Sequence, residues 1–514
     1  MNDSSSCAVN RSGAGPALFL LSVSIFLLTS GGHIYVRDEG AMLFMSRSLI
    51  DHGWFDVPIN PNTGGGKIGP DGRYYMPFGV LQPLLATPFV QLGRLMMSWA
   101  DAQYIDNMTA PWFSALATAW LCVLFHRFLL RLGVARRPAF FAALSLGFST
   151  PFWVYAQTFF AEPLTALSIL ASAEAIFRYG ETRSILFILH AGIWMMIVLI
   201  VRPIAGTALP ALFLYLLLVE KRSADHHEAP QSVRPILVFS TLCCAAVALL
   251  LGYNQIRFGG WIETGYEYLP DGRLRSFTLD PLQGLRILFF SPGKSIFIFA
   301  PIAASAIAGM VMLARSRRTR AEAVLTALMP AMFISVLCRW AEVEGGVCWG
   351  PRLFLPALPV MLLAIAPLLS LKKRTVSIVL ISLGIAGFAI QSLGVTINFS
   401  TYIASHISEY FNSQSGYYRF EFNPLPGHIS ELKKLILSPG LMSQLPPQIA
   451  AAHRSMSQIN YAEGLNVWWL LSYQNRLNPS FILTLAGIQL AMLSTGIILT
   501  VRVLTRRPDH GNGR

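Results

Sequence analysis

Apolar runs of about twenty residues recur along this chain, separated by short polar joints. Crossing the hydrocarbon of a bilayer takes roughly 20 mostly apolar residues, and fewer where the helix is packed within protein. The pattern therefore predicts twelve transmembrane helices, near 16–36, 109–131, 138–157, 159–177, 184–201, 203–220, 235–253, 295–314, 321–338, 353–371, 375–397 and 479–501. The third to sixth run almost into one another, with Pro151, Pro163 and Pro203 at their turns. The expected class is an all-α polytopic membrane protein.

Three outer stretches are long: 37–108, 254–294 and 398–478. In the first, Met42, Leu43, Met45, Leu49 and Ile50 alternate with Arg47, Ser48 and Asp51 at helical spacing, which predicts a helix over 41–52 lying in the membrane interface. The Gly64–Tyr75 stretch carries Pro70-Asp71-Gly72, a tight-turn signal inside a hairpin. Pro77–Met97 is apolar but interrupted by Pro83 and Pro88, and reads as a second interfacial helix. The polar, aromatic 398–478 stretch reads as a small helical cap. The chain thus divides into a core, 1–397, with its first outer loop at 37–108, then the outer segment 398–478, then a last span and tail at 479–514.

With 54% hydrophobic and 13% charged residues, the composition agrees with a membrane protein and not with a soluble one. The net charge of +13 is read through topology instead of as a nucleic-acid signal, because basic residues gather in short cytoplasmic loops. With the N-terminus inside, Arg127, Arg131, Arg136 and Arg137 fall on one side, as do Arg178 and Arg183, Lys221 and Arg222, Arg315–Arg320, Lys372–Arg374, and Arg502, Arg506 and Arg507. Most carboxylates then lie at the outer face, so any chemistry is extracytoplasmic and neither ATP nor a nucleotide sugar is a ready substrate there. The first segment lacks a following A-x-A-like site and reads as a retained anchor. None of the six cysteines has metal-ligand spacing, and Cys338 and Cys348 are either an outer disulfide or free thiols. Gly64–Ile68 and Ser291–Ser295 are imperfect P-loops on the wrong side of the membrane, so neither is a nucleotide site.

The candidate chemistry lies at the outer ends of the spans. Asp38 and Glu39 open the first outer loop, either as a catalytic pair or as a mere helix end; Asp38 is the candidate base. Glu162, Arg202, Glu263, Glu342, Glu344 and Arg352 share that depth, and ionisable residues at a membrane edge are functional candidates. Arg352, delivered by Gly350-Pro351, is placed to grip a phosphate with a guanidinium fork or to pair with Glu342 or Glu344. Lys294, at the start of the 295–314 span, either meets an anion at a helix N-terminus or snorkels to the interface. Glu162 and Arg202 are site residues or each other's partner. Glu342 and Glu344 are metal ligands, a second acid or salt-bridge partners, so a divalent metal is an open expectation. Trp54, Trp261, Trp340 and Trp349 read as an interfacial belt.

One span, then Asp38-Glu39-Gly40 opening a long outer loop, then a long series of spans resembles the GT-C glycosyltransferases. The likeness is to the branch that holds protein O-mannosyltransferases and lipid A aminoarabinose transferases. Gly69–Tyr75 with Gly79 and Pro83, Phe159–Pro163, Arg257–Tyr266, Phe290–Lys294 and Trp349–Arg352 look like the bacterial, polyprenyl-phosphate-sugar-dependent members. The resemblance covers most of the chain, and 398–478 least. A β-trefoil insert and a WWD-type motif are not seen, which sets the chain apart from eukaryotic protein O-mannosyltransferases and from oligosaccharyltransferases.

The resemblance implies an inverting transfer from a polyprenyl-phosphate sugar to a lipid, glycan or protein hydroxyl, in an inner membrane with the site facing outward. Asp38 matches the catalytic acid of the first loop and Glu39 its neighbour. Arg352, with Lys294 and Arg202, would meet the donor phosphate. The competing expectations are a twelve-span transporter or lipid-sugar flippase, and a surface polysaccharide polymerase or ligase whose working residues would sit in 398–478. A catalytically dead scaffold is a fourth. The roughly 70-residue loop straight after the first span breaks the two-half symmetry common in transporters and favours the enzyme.

Overall fold

The computed structural model describes residues 13–59, 66–226, 228, 230–266, 275–405, 423–437, 465–474 and 476–505. Gly64 and Gly65 of the first P-loop-like stretch, Arg506 and Arg507 of the tail, and much of 398–478 lie outside them. Among the described residues, the regular structure apart from a two-stranded hairpin is helical.

Each of the twelve expected spans contains helix. Seven helices are long and apolar enough to cross a membrane: Asp106–Arg131, Pro203–His226, Arg234–Phe258, Arg317–Leu337, Arg352–Ser370, Arg374–Thr396 and Pro479–Thr505. Ala14–Leu28, Ile185–Val201 and Ala303–Arg315 are shorter apolar helices. The expected 138–157 span is broken into Arg136–Phe148 and Phe152–Tyr155. The 159–177 segment is the Glu162–Thr182 helix, which carries Glu162, Glu174, Arg178 and Glu181 along its length. Length and composition thus support ten apolar helices among the described residues, and the count of twelve stays an expectation.

The first helix ends at Leu28, well before the expected boundary at 36. Gly31 and Gly32, the latter at φ +71, help turn the chain out of helix. Residues 29–36 then run through protein interior, where His33 and Tyr35 are buried. A hydropathy pattern does not separate burial in protein from burial in lipid.

The 37–108 loop holds both expected interfacial helices, Arg37–His52 and Leu81–Ala100, and the hairpin, with Lys67 paired to Tyr75 and Ile68 to Tyr74. Arg47 bonds Asp106 at 2.7 Å and fastens the first of these helices to the start of the next span. Arg257 donates to the carbonyls of Met76 and Phe78 and holds the chain entering the second.

Arg352–Ser370 is the most enclosed of the long helices, with 78% of its apolar window buried against 17% for Arg234–Phe258. Pro356, Pro359 and Pro367 remove backbone donors, so it alternates between 3-10 and α turns. Glu162–Thr182 packs beside it, and its 21 residues at 1.5 Å each give about 30 Å, close to the hydrocarbon thickness. Glu162 marks one end of the bundle. At the other end Arg131 pairs with Glu174 (2.9 Å), Arg183 with Glu220 (3.1 Å) and Arg222 with Glu322 (2.8 Å), so several of the basic residues on which the expected orientation rests are tied to carboxylates.

Of the two expectations for Cys338 and Cys348, free thiols is the one observed. The Cys348 thiol faces the Glu344 carbonyl at 3.1 Å and the Lys294 ammonium at 3.3 Å.

Candidate active site

Asp38 and Glu39 do not end the first apolar helix; they occupy the first turn of Arg37–His52, entered through an extended Val36. Exposed N–H groups and the positive end of the helix dipole favour carboxylates at that place. The two neighbours diverge sharply in environment. The Asp38 side chain is 43% exposed, whereas Glu39 is fully buried.

Arg352 comes to Asp38 from 314 residues away. A turn built on Gly345, Gly346 and Gly350, all with positive φ, delivers it to the N-terminal end of the Arg352–Ser370 helix. At Gly350 a β-carbon would also lie 2.8 Å from the Phe299 ring, so only glycine fits both the backbone and the space. The guanidinium donates through Nη1 and Nη2 to Asp38 Oδ2, at 3.3 and 3.2 Å. Its Nε lies 3.4 Å from Glu162 Oε1, and the Phe160 ring sits 4.2 Å from its centre. Glu162 Oε1 also accepts from Arg202 Nη1, at 2.6 Å.

Four of the expected residues therefore form one chain of alternating charge, Asp38–Arg352–Glu162–Arg202. The expected pairing of Arg352 with Glu342 or Glu344 is corrected to Asp38 and Glu162, while Glu162 and Arg202 are indeed partners. Glu162 is fully buried, and an ion in that position needs its partners to offset lost hydration. Asp38 is the member of the chain most open to an incoming group.

The remaining candidates stand apart from this chain. Lys294 is fully buried, and its ammonium donates to the Cys348 carbonyl at 2.7 Å and reaches the Gly346 carbonyl at 3.5 Å. It braces the glycine turn, and the helix after it, Ile296–Phe299, has only four residues; neither an anion-binding helix start nor a snorkelling lysine describes it. Glu263 pairs with Lys67 at 3.2 Å and accepts from the Gly265 N–H, tying the hairpin to the 254–294 loop. Glu342 is exposed and Glu344 buried, both in the turn before Arg352. Among the described residues no three or more His, Cys, Asp or Glu side chains are grouped to hold a metal ion. Trp349 is not part of an interfacial belt: it is fully buried, with its indole N–H on Gln391 at 2.9 Å.

Two neighbours of the chain were not singled out in the sequence. Phe160 carries the Arg352 guanidinium on its face. Tyr266 feels the charges of Arg202, Asp38 and Arg352, and burial pushes its phenol pKa up. Both lie within stretches that carry the family resemblance, but an aromatic residue near a membrane edge is also what an ordinary interfacial belt supplies.

Glu39 ties the Asp38 helix to the loop that carries Phe160 and Glu162. Its Oε2 accepts from the Phe159 N–H at 2.7 Å. Burial, only partly opposed by that bond and by the Arg352 charge, pushes its carboxyl up to about 8. Glu39 is thus mostly protonated at pH 7 and adds little negative charge beside Asp38. Since the folded value lies above the ordinary 4.5, its contribution to stability is complete below pH 4.5 and lost as pH rises through about 8. Glu39→Gln keeps the acceptor and removes the titration: activity is expected within about threefold of wild type, with a flatter thermal-stability profile across that window. Glu39→Ala leaves the Phe159 N–H unpaired and is expected to cost about 1–3 kcal/mol in the same melting experiment.

No protein-family model matches the sequence, and no curated protein matches it. Among solved structures, the chain is similar to ArnT from Cupriavidus metallidurans bound to undecaprenyl phosphate, at 14% identity over 98% of this chain and 82% of that one, with a TM-score of 0.48. ArnT from the same organism in the apo state matches at 15% identity over 95% and 78%, TM-score 0.49. The archaeal oligosaccharyltransferase AglB from Archaeoglobus fulgidus, in complex with an inhibitory peptide and a dolichol-phosphate, matches at 12% identity over 97% and 60%, TM-score 0.40. Likeness at this level assigns no residue of this chain a role.

Proposed function

We propose that this protein is an inverting membrane glycosyltransferase that moves a sugar from a polyprenyl-phosphate donor to an acceptor hydroxyl on the extracytoplasmic face of the inner membrane. The observation that carries this reading is the pairing of the half-open Asp38 carboxylate with Arg352, backed by Glu162 and Arg202. A base and a cation beside one another at the outer edge of a membrane bundle suit a donor whose phosphate sits at the surface and whose tail stays in lipid.

In the reaction, Asp38 takes the proton of the acceptor hydroxyl as its oxygen attacks the anomeric carbon. The bond from that carbon to the phosphate oxygen breaks, and the electron pair leaves with polyprenyl phosphate. Arg352, with Arg202 behind it, meets the charge growing on that phosphate, an effect that is strongest in a site shielded from bulk water. Asp38 binds through one oxygen only, so the donor phosphate can share the guanidinium with it. Glu162 holds the two arginines together, and Lys294 acts indirectly by fixing the turn that presents Arg352. Glu263, Glu342 and Glu344 are assigned no part in the step. The acceptor is a lipid, glycan or protein hydroxyl, and the donor is of the same lipid class as the undecaprenyl phosphate and dolichol-phosphate bound in two of the similar structures.

The test is a panel of radiolabelled polyprenyl-phosphate sugars offered to the reconstituted protein, with release of polyprenyl phosphate and lipid translocation measured in parallel. One donor is expected to be consumed without translocation. Translocation of the labelled lipid with no donor consumed would instead make the protein a flippase.

A further inference from the structure

The late outer segment touches the chain carrying Asp38 and the chain carrying Arg352 at equivalent places, three residues before each. On the Asp38 side the contact is Asn466, itself buried. Its Oδ1 bonds His33 Nε2 at 2.8 Å, and its Nδ2 donates to the Tyr35 hydroxyl at 3.0 Å and reaches the Val395 carbonyl at 3.5 Å. Backbone bonds secure the same segment: the Asn466 N–H to the Thr396 carbonyl at 2.8 Å, and the Trp468 N–H to the Ser30 carbonyl at 2.7 Å. Tyr35 stacks flat on Phe399, with centroids 4.9 Å apart and an interplanar angle of 2°. On the Arg352 side, His428 lies against Trp349 at 4.7 Å and bonds the Leu393 carbonyl at 3.0 Å.

Residues 31–35 have no helical hydrogen bonds to fix them, yet they set where Asp38 starts its helix. The site around Asn466 is also closely filled. A β-carbon on Gly31 would meet Asn466 Oδ1 at 2.5 Å, the Tyr35 hydroxyl at 2.6 Å and His33 Nε2 at 2.7 Å. The buried amide thus satisfies two side chains of a non-helical strand at once, which apolar packing alone would not do.

We propose that Asn466 is a positioning residue: by bonding His33 and Tyr35 it fixes the strand that places the Asp38 carboxylate against Arg352. This rests on the reading of Asp38 as the base. It also gives part of 398–478 a structural place in catalysis without making that segment the site of the chemistry. Misplacement of a reacting group by about 1 Å costs on the order of 10²-fold in rate, so losing the brace acts on turnover and not on donor affinity.

The experiment compares wild type with Asn466→Ala, and with Tyr35→Phe as a milder variant that removes only the hydroxyl. Turnover, donor KM, thermal midpoint and backbone hydrogen exchange are read for each. Asn466→Ala is expected to lower kcat about 10- to 100-fold with KM within threefold, and to raise exchange at residues 33–40 while the spans are unchanged. Tyr35→Phe is expected to lower kcat about 3- to 10-fold. In an Asp38→Asn background, Asn466→Ala should cost less than twofold more, because the group it positions is already disabled. An unchanged kcat in Asn466→Ala, unchanged exchange at 33–40, or the same fold-loss in both backgrounds each overturns the proposal. Should Asp38→Asn be as active as wild type, the base assignment fails by itself, and the exchange comparison alone decides whether Asn466 holds the strand.

Discussion

Asp38→Asn is expected to lower kcat at least a hundredfold while leaving donor affinity within about threefold. Asparagine has nearly the same shape and still offers an oxygen to Arg352, so the geometry of the pair survives. What disappears is a group able to take a proton, and positioned general-base catalysis contributes about 10²–10⁴-fold. The binding half of the prediction follows from the same geometry, because the phosphate is assigned to the arginines. Turnover and equilibrium binding measured on one donor check both halves. A fall in affinity with unchanged turnover would place Asp38 in donor binding instead.

Arg352→Leu is expected to cost kcat/KM about 10²–10³-fold, with losses in both donor binding and turnover. Removing one positioned donor from a site of developing negative charge has an effect of this size. Arg352→Lys keeps the charge but not the planar fork that serves Asp38 and Glu162 at once, so it recovers only part of the loss. A second readout separates this residue from Asp38. Breaking a buried ion pair by removing one member costs about 3–5 kcal/mol, and here the low end applies, because Arg202 still holds the fully buried Glu162. Thermal unfolding of Arg352→Leu should therefore shift downward, whereas that of Asp38→Asn should barely move.

The sequence makes the members of the charge chain in the candidate site largely legible. Asp38, Glu162, Arg202 and Arg352 stand out because ions at the ends of apolar segments are costly and need a reason. Their order in the chain of charge is not legible, because the bond from Asp38 to Arg352 spans 314 residues and no local spacing encodes it. Lys294 shows the limit clearly. Next to a glycine and ahead of an apolar run it reads as an anion ligand, yet backbone carbonyls supplied by the 346–348 turn surround its ammonium. Glu263 is likewise claimed by Lys67, which lies in a different outer loop. The first helix is shorter than the hydropathy pattern predicts for a related reason: His33, Tyr35 and Asn466 form a buried polar network that only tertiary packing creates. The interfacial helices and the hairpin were legible because a single periodicity or turn signal specifies each.

The proposed reaction is a single displacement, in which the acceptor oxygen deprotonated by Asp38 enters the anomeric carbon opposite the departing, arginine-held phosphate. That arrangement is tested most directly by the anomeric configuration of the product formed from a donor of known configuration, read by NMR. Inversion at the anomeric carbon is the expected result. Retention would require a covalent or ion-paired intermediate on the enzyme and would contradict the role given to Asp38.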